Sequence, residues 1–97
     1  MNKFISAAIN QAQKAYNAGE IPVGAVVVKD GKIISRGYNK RESSQIATKH
    51  AEIIAIEKAC KKLGSWRLED CDIYVSLEPC PMCLGACVNA RLKNIYY

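Results

Sequence analysis

The chain has 97 residues, enough for one small domain that buries roughly 60–65% of its unfolded surface, and multidomain organisation is excluded. Hydrophobic residues at 49% and charged residues at 24% exclude the disordered, collagenous and low-complexity classes. Fourteen Lys and Arg against nine Asp and Glu give a formal charge of +5. That balance admits nucleic acid as a partner, but the small groups at Lys40-Arg41, 58–62 and 91–93 form no basic tail and read mostly as solvated faces.

The opening stretch, Met1 to Asn10, turns polar too early for a signal peptide, and no apolar run approaches the ~18 residues a membrane helix needs. The expectation is a soluble, cytoplasmic protein with no membrane partner. Phe4, Ile5, Ala8, Ile9, Ala12, Ala15 and Tyr16 recur at three- and four-residue intervals, which predicts an amphipathic helix over 3–17 with Gly19 beyond its end. Residues 21–28 and 32–38 are extended runs around Asp30-Gly31, a dipeptide suited to the positive φ angles of a tight hairpin turn. The first run is almost continuously apolar, as in a strand covered on both faces. Residues 39–47 read as a polar loop.

Ile53, Ile56, Ala59, Cys60 and Leu63 predict a second helix from about His50 to Lys62, closed by Gly64. A third strand is expected over 72–77, a third helix from Cys80 or Pro81 to about Ala90, and a fourth strand from Asn94. This αββαβαβ order predicts an α/β sandwich: a mixed sheet with an antiparallel first hairpin, then parallel strands, covered by helices.

The chemistry concentrates at two helix starts. His50-Ala51-Glu52 opens one helix and Pro79-Cys80-Pro81-Met82-Cys83 opens the next. Two thiols three residues apart share one face of a first turn, and an imidazole from the neighbouring helix adds a third tetrahedral ligand, which together describe a zinc site. Helix dipoles and the metal both favour the thiolate form. First-turn side chains lean toward the helix N-terminus, so Glu52 can approach the same point as His50 without being a ligand. Three protein ligands leave a place for water, whose proton a free carboxylate can move.

The competing structural reading is a closed site with Cys87 as fourth ligand. Cys87 lies about 10 Å from Cys80 along the helix at ~1.5 Å per residue, so that site requires the helix start to unwind. Cys87, Cys60 and Cys71 read instead as buried apolar thiols. Five cysteines without an export signal argue for reduced thiols or metal ligands over disulfides. Glu57 and Lys61 read as an ordinary i,i+4 surface pair.

His-x-Glu followed by Pro-Cys-x-x-Cys is the signature of the zinc deaminases. Within them the chain resembles the bacterial tRNA-specific adenosine deaminases. The matching stretches are Gly19 to Val26, Asn39, His50-Ala51-Glu52, Leu63 to Leu68 and Tyr74 to Ala86, in order over nearly the whole chain. The resemblance implies a three-layer α/β/α sandwich of the cytidine deaminase-like type. It also implies hydrolysis of the wobble adenosine of an arginine tRNA anticodon stem-loop to inosine, by a homodimer with one zinc per chain. His50, Cys80 and Cys83 are then the ligands and Glu52 the proton shuttle. Val23, Gly24 and Ala51 line the base pocket, Asn39 hydrogen-bonds the purine, and the Cys80 amide is the oxyanion contact. On charge and position, Lys40, Arg41, Arg67, Arg91 and Lys93 are candidate phosphate contacts.

Two departures stand out. Ile46-Ala47-Thr48-Lys49 replaces the family's Asp-Pro-Thr-Ala, which puts a cation near the expected pocket mouth. Family members also run longer, so residues 1–97 are expected to be one zinc deaminase domain truncated within its fourth strand. The alternatives are a zinc deaminase of a free base or nucleotide, such as guanine, cytosine or deoxycytidylate, and a non-catalytic zinc- or RNA-binding module.

Overall fold

The computed structural model describes residues 2–97. Eight elements follow in chain order: α1 (Lys3–Asn17), β1 (Gly24–Lys29), β2 (Lys32–Tyr38), α2 (Arg41–Ser44), α3 (Ala51–Leu63), β3 (Cys71–Val75), α4 (Pro81–Asn89) and β4 (Asn94–Tyr96). The strands form one sheet in the order β2-β1-β3-β4. β1 is antiparallel to both neighbours, while β3 and β4 pair in parallel, so β2, β3 and β4 share one direction and β1 alone opposes them.

Alternation along β1 sorts the two cores. Val26 and Val28, with Tyr74, meet Phe4 and Ile5 of α1 on one face. Ala25 and Val27, with Ile73 and Val75, meet Ala55, Ile56 and Ala59 of α3 and Cys87 of α4 on the other. This produces the three expected layers and explains why β1 is buried from Gly24 to Val28. The hairpin turn places Asp30 at φ 52° and Gly31 at φ 74°, the left-handed pair that matches strand twist.

Two glycines set how closely helices approach the sheet. A Cβ on Gly24 would collide with the Ala8 carbonyl and the Ala12 amide of α1. A Cβ on Gly37 would lie 2.6 Å from the Ala51 carbonyl oxygen and 2.8 Å from the Ala55 nitrogen. Two residues earlier on the same face of β2, the Ser35 hydroxyl donates to the Ala55 carbonyl at 2.7 Å. β2 therefore holds the N-terminal half of α3 in place, and with it the side chains at the helix tip.

Three boundaries differ from the sequence expectation. β1 starts at Gly24 rather than 21, because Pro22 has no N–H and the Val23 N–H turns back onto the Ile21 carbonyl at 2.9 Å. β3 ends at Val75, though Ser76 extends the contact: its N–H donates to the Gly24 carbonyl and its hydroxyl accepts from the Gly24 N–H, each at 3.0 Å. The stretch expected as a loop contains the one-turn helix α2. Among the described residues no helix is long and apolar enough to cross a membrane.

Candidate functional site

The tips of α3 and α4 meet over the ends of β1 and β3. His50 is the N-cap of α3 and Cys80 the N-cap of α4, both with extended backbone, at φ −76°, ψ 157° and φ −72°, ψ 167°. Neither side chain caps its own helix. An N-cap side chain projects past the helix end, so both point into the gap between the tips. Pro81 starts α4 at the position where a missing N–H costs nothing. Cys83, one turn on, is fully buried.

His50 Nδ1 lies 3.8 Å from Cys80 Sγ and 3.6 Å from Cys83 Sγ, and the three donor atoms all fall within 4.8 Å of one another. Tetrahedral ligands on zinc at ~2.3 Å for sulfur and ~2.0 Å for nitrogen sit about 3.5 Å apart, close to the two spacings between His50 and the sulfurs. Cys87 is outside the set. It is buried in the α3/α4 core, where burial and then the Glu52 charge push its thiol up to about 11.

Glu52 is 3% exposed, and its Oε1 is buried with no hydrogen-bond partner among the described residues. An unpaired buried carboxylate oxygen is costly and calls for a functional partner. Burial, then the Glu52 charge, then Cys80 push the Cys83 thiol far above its ordinary value. A divalent cation bound among these groups reverses that balance, because it converts repulsion between carboxylate and thiolates into attraction. The donor set, its spacing and the orphaned carboxylate oxygen together fit zinc.

Beside these groups lies a cavity of about 150 Å³, walled by Ile21, Val23, Asn39, Arg41, His50, Ala51, Glu52, Leu77, Glu78 and Cys80. A space of this size takes one aromatic ring system and little more. Asn39 is held from both ends: its Oδ1 accepts from the Arg41 N–H at 3.0 Å and its Nδ2 donates to the Ile21 carbonyl at 3.4 Å. One amide hydrogen and one lone pair remain for a guest.

Not every expected residue reaches this cavity. Gly24 is not part of its wall; the absence of a side chain there serves the contact with α1. Lys49 is turned away, its Nζ 2.8 Å from Glu57 Oε1, and this ion pair takes the place of the Glu57–Lys61 pair expected from helical spacing. Of the basic residues only Arg41 lines the cavity, while Lys40 lies over the Tyr38 ring at 4.8 Å. Arg67 and Arg91 flank Trp66 at 4.9 and 5.6 Å, beyond the C-terminal ends of α3 and α4 and thus opposite the site. Lys93 enters β4, its N–H donating to the Cys71 carbonyl at 2.9 Å.

Ile21, Leu77 and Glu78 form part of the wall that sequence reasoning did not single out. Their signal was adjacency: Ile21 lies two residues before Val23, and Leu77 and Glu78 just precede Cys80. Leu77 is 59% exposed, an apolar side chain at a polar rim. Glu20 was missed as well. Burial alone would raise its carboxyl, but hydrogen bonds from Glu42 and Ser43 and the Arg41 charge hold it below the ordinary carboxylate value.

A three-layer α/β/α frame that brings two thiols and an imidazole to facing helix tips, with a free carboxylate beside them, defines a zinc-binding domain of hydrolytic type. The family model for the cytidine and deoxycytidylate deaminase zinc-binding region matches residues 1–97, and the chain belongs to that family. It is 49% identical to a tRNA-specific adenosine deaminase of Bacillus subtilis over 94 residues, covering 97% of this chain and 58% of the relative. It is 52% identical to a guanine deaminase of the same organism over 95 residues, covering 97% of this chain and 61% of the relative. A structure described as part of studies of A-to-I editing by tRNA:A34 deaminases at the wobble position superposes with a TM-score of 0.96 at 43% identity, covering 98% of this chain and 69% of that one. The chain thus spans about three fifths of the length of these two curated relatives.

Proposed function

We propose that the chain carries the zinc site of a deaminase that hydrolyses the amino group of a wobble adenosine in an arginine tRNA anticodon loop, yielding inosine and ammonia. The observation that carries this reading is the buried, unpartnered Glu52 Oε1 beside three convergent metal donors at the wall of a cavity of about 150 Å³. His50, Cys80 and Cys83 would hold the zinc, which supplies a water whose pKa is lowered toward ~7.

The chain's own residues do the rest. Glu52 takes one proton from the attacking water and places it on the purine N1, where it stays, then carries the second, from the new C6 hydroxyl, to the departing amine, so that C6=O replaces the C6–N bond and ammonia leaves. Val23 and Ala51 bound the ring, and Asn39 offers its free donor and acceptor to the purine edge. The cavity takes the base, and ribose and phosphates stay at its mouth, next to Arg41. An anticodon loop presents such a splayed base at small unstacking cost.

A second reading, deamination of free guanine, is favoured by the near-equal identity to the guanine deaminase. The test is turnover by the zinc-loaded protein of three substrates: an anticodon stem-loop with a wobble adenosine, free adenosine and free guanine. Preference for the stem-loop, with affinity that falls steeply as salt rises, supports the tRNA reading. Faster turnover of guanine, or a flat salt response, overturns it.

A further inference from the structure

Helix α2 is a single turn that buries none of its residues, and Lys40 at its N-cap position makes no side-chain cap bond. A helix this short does not hold itself. Its first N–H groups are nevertheless all taken. Arg41 N–H goes to Asn39 Oδ1 at 3.0 Å, Glu42 N–H to Glu20 Oε1 at 2.9 Å, and Ser43 N–H to Glu20 Oε2 at 2.6 Å. The cap therefore comes from more than 20 residues upstream. Glu20 is itself fixed, because its N–H donates to the Ala15 carbonyl at 2.9 Å and the residue is only 6% exposed.

We propose that Glu20 is a positioning residue of the site: its carboxylate ties the rigid end of α1 to the first turn of α2, and so fixes Asn39 and Arg41 on the cavity wall. The two segments it joins, 20–23 and 39–43, supply Ile21, Val23, Asn39 and Arg41, the wall across from the metal donors. Their other ties are single bonds from Asn39: its N–H to the Val23 carbonyl at 3.1 Å and its Nδ2 to the Ile21 carbonyl. Glu20 contributes two charge-assisted bonds, the strongest link between the segments. It touches neither the donors nor the cavity, so its effect falls on guest placement and leaves the proton transfers alone.

Glu20→Gln is the direct test. A carboxamide accepts one of the two N–H groups and sets a donor against the other. Amide hydrogen exchange at Glu42 and Ser43 should then speed up by roughly tenfold, as loss of a helix cap implies, with exchange in α3 and zinc content unchanged. The kinetic part rests on the reading above. With whichever of stem-loop or guanine the unsubstituted protein turns over, KM should rise about fivefold at a nearly constant kcat. Unchanged exchange at 42–43, faster exchange with unchanged KM, or a loss confined to kcat would overturn the proposal. If the unsubstituted protein turns over neither substrate, the functional reading fails, and the exchange measurement alone decides the role of Glu20.

Discussion

Helix α1 and the two site helices begin in opposite ways. At the start of α1, Asn2 Oδ1 accepts from the Phe4 and Ile5 N–H groups at 2.7 and 3.3 Å, an ordinary side-chain cap. α3 and α4 start with the same extended N-cap backbone, yet His50 and Cys80 leave the cap unmade and aim their side chains at each other. Each such position forgoes about 1 kcal/mol of capping stability. In return, the imidazole and the thiol are left free to face each other across the gap between the helix tips. The scaffold helix is built for stability, while the site helices give up local stability at their tips to keep donor atoms free. α2 stands between the two, capped by a residue from elsewhere in the chain.

The largest expected effect breaks the site helices and spares the scaffold. Cys83→Ala should lose zinc and all deamination, while Cys87→Ala keeps stoichiometric zinc; metal analysis of the two proteins decides, and zinc lost only from the Cys87 variant would reverse the assignment. Next, Glu52→Gln should retain zinc and melting temperature but lose ~10² to 10⁴ in single-turnover rate, because an amide cannot carry the proton.

On the sheet side, Gly37→Ala forces a methyl onto the α3 backbone and should destabilise by about 1–3 kcal/mol, or roughly 4–8 °C in Tm per kcal/mol. The cap comparison itself predicts effects of opposite sign. Asn2→Ala should cost about 1 kcal/mol, whereas His50→Asn should stabilise the zinc-free protein by about 0.5–1 kcal/mol while abolishing metal binding. Denaturant melts of both variants in chelator would show whether His50 truly forgoes a cap.

The smallest effect concerns acid. The folded-state pKa of Glu20 lies below its unfolded value, so its contribution is present above the carboxyl range and is lost as pH falls through the folded value. The difference in Tm between the unsubstituted protein and Glu20→Gln should therefore be constant near neutrality and close as the pH drops below 4.5. A difference that widens in acid would show that Glu20 is not held as a carboxylate.

Much of this molecule was legible along the chain because its signals are short-range. Three- and four-residue apolar spacing marked α1 and α3, Asp30-Gly31 marked the hairpin, and Gly64, at φ 65°, marked the end of α3. The metal donors were legible for the same reason: Cys80 and Cys83 share one helical turn, and His50 opens the other helix. α2 was missed because its cap lies more than 20 residues away and no apolar period marks a single turn.

Tertiary structure decided what lies across the gap from those donors. Segments 21–23, 39–41, 50–52 and 77–80 become one wall because Gly24 and Gly37 let α1 and α3 press against the sheet, and spacing along the chain carries no record of that approach. The same packing turned Lys49 toward Glu57 and placed Arg67 and Arg91 at the far end from the site. Charge is written in the sequence, but the point at which a charge acts depends on which helix end carries it. Residue type and local spacing therefore fixed the chemistry available to this chain, and close packing between distant segments fixed the shape of the cavity on which that chemistry acts.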